Sequence, residues 1–282
     1  MNKYPIKKSG VDFIFVDEEP IMKGMRKKKA AICDNKFAMF KYEIEDRMCS
    51  EACSEKLAYE IAKKLKYKCA KIQLALDENN KLGVLNYYFS NRQTSPHTDI
   101  VAYINEDNSK RNEFYTIYNI KAKLDKIDKS LFSDYIKIMI FDALIGEQDR
   151  HEENWGITES KGKYSISPLY DNGDSLLREF KDESFAKKYY DNPEEFDKYI
   201  RKSKTYFYKD NKRYKHFDLI IDLYNEYPSI IKRKIMNLKK LTNKDIEQIV
   251  QMIPDNLLTD KHKEYIIMYL IKRRDILLSI IK

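Results

Sequence analysis

Glycine is scarce in this sequence, with only seven among 282 residues. No two of them have the spacing of G-x-G-x-x-G or of G-x-x-x-x-G-K-[ST]. The first motif forms the dinucleotide-binding turn of Rossmann folds, and the second cradles phosphates in P-loop proteins. Both classes are therefore excluded, and any nucleotide site in this chain must hold its phosphates in another way.

Cysteine and long apolar runs are lacking as well. The four cysteines include no C-x-x-C pair, which argues against structural zinc and favours reduced thiols in a cytoplasm. No stretch approaches the roughly eighteen apolar residues that span a membrane. Met1–Gly10 contains lysines, but no apolar segment follows it as it would in a signal peptide. We therefore expect a cytoplasmic protein without a membrane partner.

Basic residues outnumber acidic ones, and the formal net charge is +8. The lysines are spread over the whole length and mixed with Glu and Asp, as on solvated helix faces. This pattern argues against direct nucleic-acid binding as the main function. Hydrophobic residues make up 43% of the chain, which is typical of a folded protein with an ample core.

The most informative segment is Asp149–Asn154, which has the sequence D-R-H-E-E-N, with Asp171 following after a short gap. Phosphoryl transfer needs a carboxylate near the attacking hydroxyl and oxygen ligands for the divalent ions that bridge the phosphates. Protein kinases supply a catalytic-loop Asp, an Asn five residues later, and an Asp beyond a hairpin. The residues Asp149, Asn154 and Asp171 have that order and spacing. The alternative is a polar loop with a salt-bridged Asp–Arg pair and turn residues.

The flanking sequence favours the catalytic interpretation. Apolar residues recur at helical spacing from Leu131 to Leu144, and Gly146 ends the expected helix. Two short strands are predicted after the loop, at Trp155–Thr158 and Tyr164–Ser167. Helix, loop, hairpin and then Asp is the order of elements in the C-lobe of a kinase.

At these residues the chain resembles the HipA-like kinases, bacterial serine/threonine kinases that are often toxins. The matching runs are F-D-A-L-I-G-E-Q-D-R-H-E-E-N at Phe141–Asn154 and S-P-L-Y-D at Ser167–Asp171. Glu147 replaces the Asn that is usual in the family, outside the positions with assigned chemical roles. The loop also resembles that of phosphoinositide kinases, which leaves a lipid substrate open.

The resemblance implies a serine/threonine protein kinase that uses ATP and Mg²⁺, acts on a protein hydroxyl and has a possible antitoxin partner. Asp149 is then the catalytic residue, and Asn154 and Asp171 are the metal ligands. His151 either touches the nucleotide or braces the loop through a hydrogen bond. Gly24 and Lys28 match the family's phosphate loop, in which a Lys follows a Gly by four residues; a simple hairpin turn is the alternative.

Lys41 lies among apolar residues in a predicted strand over 37–43, where an ammonium needs an anionic partner. In kinases a strand lysine contacts the α/β-phosphates and pairs with a Glu of the next helix. That helix is predicted at Glu51–Lys66, and of its candidates Glu55 and Glu60 the resemblance selects Glu55. The alternative is an edge-strand lysine that reaches solvent.

The remaining pattern completes a two-lobed, protein-kinase-like α+β fold. A hairpin over 71–76 and 83–89 would end at the adenine hinge, with Tyr88 as a hinge candidate or a plain core residue. We expect an N-lobe at 1–89, a linker at 90–113 and a helical C-lobe at 114–282. Only Met1–Lys23 precede the phosphate loop, which suggests a kinase-core-only form.

Two other functions remain open. The same machinery could phosphorylate a lipid or a small molecule, since a fold does not determine its acceptor. The chain could also be an inactive nucleotide-binding or nucleic-acid interaction module. The presence of Lys41 and of all three loop and metal-site residues argues against the inactive form.

Overall fold

A computed structural model describes residues 2–17, 27–43, 50–90, 96–104, 110–180 and 182–282. The first part of the chain forms a six-stranded sheet with the strand order β1-β5-β6-β4-β3-β2. We call this sheet, together with the helix α1, the N-lobe. Its elements are β1 (Ile6–Lys8), β2 (Phe13–Phe15), β3 (Lys28–Cys33), β4 (Lys36–Tyr42), α1 (Glu51–Lys64), β5 (Ile72–Leu76) and β6 (Leu82–Tyr87).

One of the two central strands of this sheet is β4, the strand that was predicted from its apolar and aromatic residues. It pairs antiparallel with β3 on one side and β6 on the other. Asp34 and Asn35 both have positive φ, 52° and 57°, and form the tight turn between β3 and β4. The predicted hairpin is also confirmed, because β5, which begins at Ile72, pairs antiparallel with β6, which begins at Leu82.

The rest of the chain, which we call the C-lobe, is mainly helical, as predicted. It begins with β7 (His97–Asp99), α2 (Val101–Ile104), α3 (Arg111–Phe114), α4 (Ile117–Ile127), α5 (Ser130–Ile145), β8 (Gly156–Ser160) and β9 (Lys163–Ile166). It continues with α6 (Glu183–Tyr190), α7 (Pro193–Lys202), β10 (Lys204–Lys209), β11 (Lys212–Lys215), α8 (His216–Glu226), α9 (Pro228–Met236), a 3-10 helix (Asn237–Lys240), α10 (Asn243–Gln251) and α11 (Asp260–Ser279).

Helix α5 forms the middle of the C-lobe core, and twelve of its sixteen residues are buried. Gly146 ends it in the left-handed conformation, with φ 72°, as is common after helices. A side chain at this position would also clash with the Tyr269 hydroxyl of α11. The loop that follows therefore starts from a well-defined point in the core.

Two features differ from the prediction. Strands β10 and β11 form a hairpin in a region that was expected to be helical. The segment 90–113, expected to be a linker, contains β7, which pairs with β8 of the C-lobe. The division at 1–89, 90–113 and 114–282 stays a prediction. Within the described segments, every helix is too short or too polar to cross a bilayer.

Candidate active site

Lys41 is buried at the boundary of the two lobes, with 5% of its surface exposed. Its Nζ lies 2.7 Å from Glu51 Oε1 and 3.1 Å from Glu55 Oε1. It also lies 2.5 Å from Asp171 Oδ1, which comes from a segment 130 residues away in sequence. The structure thus brings together three residues that the sequence nominated, and it rules out the alternative in which Lys41 reaches solvent.

Glu51 is a member of this cluster that the sequence analysis missed. It lies four residues before Glu55 on α1, so both carboxylates are on the same face of the helix. This i, i+4 spacing was the available signal. Glu60, the other candidate on this helix, instead pairs with Lys56 at 2.6 Å.

The cluster could hold a divalent cation. Oxygen atoms of Glu51, Glu55 and Asp171 all lie within 4.8 Å of one another. Carboxylate oxygens are the ligands that Mg²⁺ prefers in proteins. Three carboxylates surround one ammonium here. Arg178 Nη2 lies 3.7 Å from Glu51 Oε2, and an excess of negative charge remains even when both cations are counted. These three carboxylates could therefore hold a divalent cation, and they share only Asp171 with the predicted ligand pair of Asn154 and Asp171, which stays a prediction.

Helix α1 is held in place at its N-terminus and along its side. Ser50 caps it by accepting a hydrogen bond from Cys53 N, at 3.0 Å. Glu43 accepts from Glu51 N at 2.9 Å and from Ala52 N at 2.7 Å, where a carboxylate also complements the helix dipole. Further along the helix, Ser54 Oγ donates to a backbone carbonyl of the C-lobe, 3.1 Å away.

The segment around Asp171 is fitted closely against α1. Asp171 has a φ of 52°, a left-handed conformation that is uncommon for non-glycine residues and concentrates at functional sites. Asn172 N donates to Glu55 Oε2 at 3.2 Å. A side chain at Gly173 would clash with the side chain of Glu51. Glycine is therefore needed here for the close approach of the two lobes.

Arg150 joins the catalytic loop to the Asp171 segment, a role that the sequence analysis did not assign. It is 3% exposed and pairs with Asp142 of α5 at 2.9 Å. It donates to the carbonyl oxygens of Asn154 at 3.0 Å and Tyr170 at 2.6 Å. It also donates to Asn172 Oδ1 at 2.6 Å. One guanidinium thus fixes the geometry of the loop, the helix before it and the segment after the hairpin.

Asp149 lies on this loop with 43% of its side chain exposed. Its carbonyl oxygen accepts hydrogen bonds from Asn154 Nδ2 at 2.8 Å and from His151 N at 2.8 Å. Its backbone N–H donates to Glu147 Oε1 at 2.8 Å. The backbone on both sides of the Asp149 carboxylate is therefore fixed, while the side chain itself is partly exposed, with His151 Nε2 3.9 Å from Asp149 Oδ2.

Glu147 has a structural role that its departure from the family pattern did not suggest. It is 1% exposed, and burial raises the pKa of its carboxyl group well above the usual range, with Arg150 opposing. Its carbonyl accepts a hydrogen bond from His216 Nε2 at 2.7 Å. Burial lowers the pKa of His216 to about 3, so this imidazole is neutral.

The other nominated residues are placed as follows. His151 Nδ1 accepts a hydrogen bond from Glu153 N at 3.2 Å, so this side chain braces the loop, as one of its two predicted roles required. The other role of His151, a contact with the nucleotide, stays a prediction. Lys28 lies opposite Lys41 in the β3–β4 register, so both side chains are on the same face of the sheet. Tyr88 follows β6, and its N–H donates to Phe37 O at 3.2 Å. Gly24 is outside the described residues.

Comparisons with known proteins show the family and the fold of the chain. The family model for the HipA-like C-terminal domain matches residues 21–222, which is more than half of the chain. The chain belongs to this family. No curated protein matches it in sequence, so the remaining comparisons are with solved structures.

Solved structures that are similar to this HipA-like chain include the following two. The proinflammatory kinase CtkA of Helicobacter pylori is 20% identical, with 98% of this chain and 97% of CtkA covered and a TM-score of 0.83. HipA of Shewanella oneidensis MR-1, in a toxin–antitoxin complex with HipB and operator DNA, is 12% identical. That match covers 94% of this chain and 66% of HipA, with a TM-score of 0.60. These similarities establish the two-lobed, kinase-like α+β fold.

Proposed function

We propose that this chain is an ATP- and Mg²⁺-dependent serine/threonine protein kinase. The observation that carries the proposal is the convergence of Lys41, Glu55 and Asp171, whose side chains meet although Asp171 is 130 residues from Lys41 in sequence. A salt bridge that was needed only for stability could form within one lobe. Here the other lobe supplies the Asp, in the left-handed conformation and beside the predicted catalytic loop. The kinase-like fold of CtkA and HipA supports the same reaction class.

Each residue of the site has a role in this proposal. Lys41 binds the α/β-phosphates and is oriented by Glu55, while Asp171 and Asn154 bind the metal. Asp149 orients the acceptor hydroxyl and takes up its proton. Asp171 and Asn154 would hold the Mg²⁺, which would supply positive charge to offset the negative charge that develops during phosphoryl transfer. Gly24 and Lys28 would cover the phosphates, Tyr88 would contact the adenine, and His151 would lie beside the nucleotide.

The proposal extends to the acceptor and to a partner. Shewanella HipA is found with HipB in a toxin–antitoxin system, and we infer that the chain described here has an antitoxin partner of its own. A protein hydroxyl is the acceptor that the HipA-like resemblance favours. The other acceptors left open by the loop sequence are an inositol lipid and a small molecule.

The test is transfer of label from γ-labelled ATP in the presence of Mg²⁺. The acceptors are the chain itself, a serine/threonine protein, an inositol lipid and a panel of aminoglycosides. We expect label on Ser or Thr of a protein. Label on the lipid or the aminoglycoside alone would replace the protein-kinase proposal, and no transfer to any acceptor would favour a nucleotide-binding module.

Asp149→Asn is the matching variant, because it keeps the shape of the side chain and removes its charge. We expect turnover to fall about 10²–10⁴-fold, with ATP binding largely retained in equilibrium dialysis. Glu153→Gln is the control, since Glu153 is an exposed carboxylate of the same loop. Normal turnover in Asp149→Asn, or an equal loss in Glu153→Gln, would show that Asp149 is not the catalytic residue.

A further inference from the structure

A cavity away from the candidate active site lies where the end of α1 meets the C-lobe. Its volume is about 480 Å³, and its walls come from the loop after α1, from α5, from β9 and from α9 with the following 3-10 helix. None of the residues assigned to phosphoryl transfer lines it. We call it the basic cavity.

The charge of the basic cavity is strongly unbalanced. Its cationic side chains are Lys66, Lys68, Lys137, Arg233, Lys234 and Lys240. The only carboxylate that faces them from the lining residues is Asp134, which lies 2.7 Å from Lys137 Nζ and 3.7 Å from Lys234 Nζ. Within the described parts of the chain, the other four cations form no ion pair. Six cationic groups thus share a single carboxylate in a concave site.

Lys234 lies in surroundings that disfavour its charged form. Only 11% of its side chain is exposed. Burial and the neighbouring Lys137 lower the pKa of its ammonium group to about 8, and Arg233 acts in the same direction, while Asp134 opposes them. A cation is retained in such surroundings when an anion can compensate it. The cavity therefore has the electrostatic character of an anion site.

The size and the floor of the cavity define the kind of anion. Its volume is within the range of sites for small molecules, about 300–1,000 Å³. Four of the lining residues are apolar and buried, and we call them the apolar floor: Leu65, Ile138, Ile166 and Leu169. Six cationic side chains line the cavity, and a chain of phosphates can pair with more of them than one phosphate group can.

We propose that the basic cavity binds a small anion with two or more phosphate groups, either a linear polyphosphate or a nucleotide whose ring covers the apolar floor. The cations come from both lobes, since Lys66 and Lys68 follow α1 and the others belong to the C-lobe. A bound polyphosphate would therefore hold the two lobes together.

The cavity is also connected to the chain that leads to Asp171. Leu169 N donates to Lys68 O at 2.9 Å, and Ala70 N donates to Leu169 O at 2.8 Å. Leu169 is two residues before Asp171. Binding at the cavity thus acts on the backbone that positions this residue, independently of whether the chain is a kinase.

The experiment is calorimetric titration of the full chain with tripolyphosphate in magnesium-free buffer. The test variant is Arg233→Glu with Lys240→Glu, because both side chains are exposed and line the cavity. The control is Lys232→Glu with Lys239→Glu, which are exposed neighbours outside the cavity and change the net charge by the same amount. We expect at least a tenfold loss of affinity in the test variant and less than a threefold loss in the control.

Three results would overturn the proposal. Equal losses in the two double variants would mean non-specific attraction to a basic surface. Loss of binding in Lys41→Met, with normal binding in the cavity variant, would place the tripolyphosphate in the active site. Orthophosphate that binds as tightly as tripolyphosphate would exclude a requirement for several phosphates. Comparison of ADP with tripolyphosphate in the Lys41→Met background then distinguishes the nucleotide from the linear polyphosphate.

Discussion

At the scale of single residues, the site is governed by what burial requires of a charged group. The Lys41 ammonium is removed from water, which is favourable only when anions surround it closely. Glu51, Glu55 and Asp171 supply three such anions at 2.5–3.1 Å. Because the carboxylates outnumber the ammonium, the same contacts leave the cluster attractive to a further cation.

Lys41→Arg tests how strictly this geometry is required. The positive charge is kept, but the planar guanidinium is longer and cannot place one point charge among three carboxylates. We expect labelled phosphate transfer to fall about 10²-fold, as when one electrostatic contact to the reacting group is lost. Lys36→Arg on the same strand is exposed and should transfer at the normal rate. Full activity in Lys41→Arg would remove Lys41 from the site.

Glu147 leads to a prediction about pH. Burial raises the pKa of its carboxyl group well above the usual 4.5, so the folded state binds this proton more tightly than the unfolded state. The stability that this group contributes is therefore present below about pH 4.5 and is lost as the pH rises toward the folded-state pKa. Glu147→Gln removes this dependence and can still accept the hydrogen bond from Asp149 N.

We thus expect the free energy of unfolding of Glu147→Gln, relative to the unmodified chain, to increase between pH 5 and pH 8. Urea denaturation at the two pH values measures it. Glu153→Gln, in the same loop but exposed, should show no such change. If the free energy of unfolding of Glu147→Gln differs from that of the unmodified chain by the same amount at both pH values, the Glu147 carboxyl group is ionised normally in the folded state.

At the scale of elements, α1 carries two of the three carboxylates that surround Lys41. The first turn of the helix determines where these two residues lie. The cap is double, because Ser50 accepts from Cys53 N while Glu43 accepts from Glu51 N and Ala52 N. Helix starts of this kind satisfy amides that have no partner within the helix. The position of the Glu51 and Glu55 carboxylates therefore depends on a local hydrogen-bond pattern.

Ser50→Ala should cost about 1 kcal/mol of stability, the usual effect of losing an N-cap side chain. Thr259→Ala at the start of α11 should cost a similar amount, since Thr259 accepts from His262 N at 3.3 Å. Only Ser50→Ala should also lower phosphate transfer severalfold, because only α1 carries site residues. Equal transfer by the two variants, at equal stability, would show that the cap does not position the site.

The elements also show which local signals could be read in advance. Helix α10 starts with such a local signal, because the structure has a capping box between Thr242 and Asp245. The β10–β11 hairpin was missed because no glycine marks its turn. Asp210 and Asn211 form that turn, with φ of 50° and 61°, because these residue types also tolerate the left-handed conformation.

At the scale of the whole molecule, the two lobes are joined at several points. Tyr4 N of the first segment donates to Met252 O after α10, at 2.6 Å, and Lys64 pairs with Asp245 at 2.6 Å. Near the site, Asn172 N reaches Glu55 across the boundary. The lobes are therefore fixed to each other both beside the active site and behind it.

Gly173→Ala tests the closest of these approaches. The added methyl group meets the Glu51 side chain, so we expect phosphate transfer to fall as the cluster is displaced. Gly162→Ala is the comparison, because it has open space and only the strain of a positive φ, about 1 kcal/mol. It should lose stability in urea denaturation and keep its activity. Normal transfer by Gly173→Ala would show that this contact is not needed.

The sequence alone determined the features that depend on neighbouring residues. The spacing of Asp149 and Asn154, the end of the helix at Gly146 and the strand around Lys41 follow from local periodicity and turn chemistry, and the structure has all of these elements in place. The ordered set of motifs was also sufficient to predict the HipA-like family and the kinase-like fold, which the comparisons confirm.

Only the tertiary structure decided which distant residues meet. Arg150 could pair with any of many carboxylates, and its partners, Asp142 and the backbone around Asp171, are set by the packing of α5 against the loop. Glu51 entered the cluster because the face of α1 that packs on the C-lobe carries it beside Lys41. The physical reason is that buried charges must be paired, but local sequence does not specify which oppositely charged group the fold brings within reach.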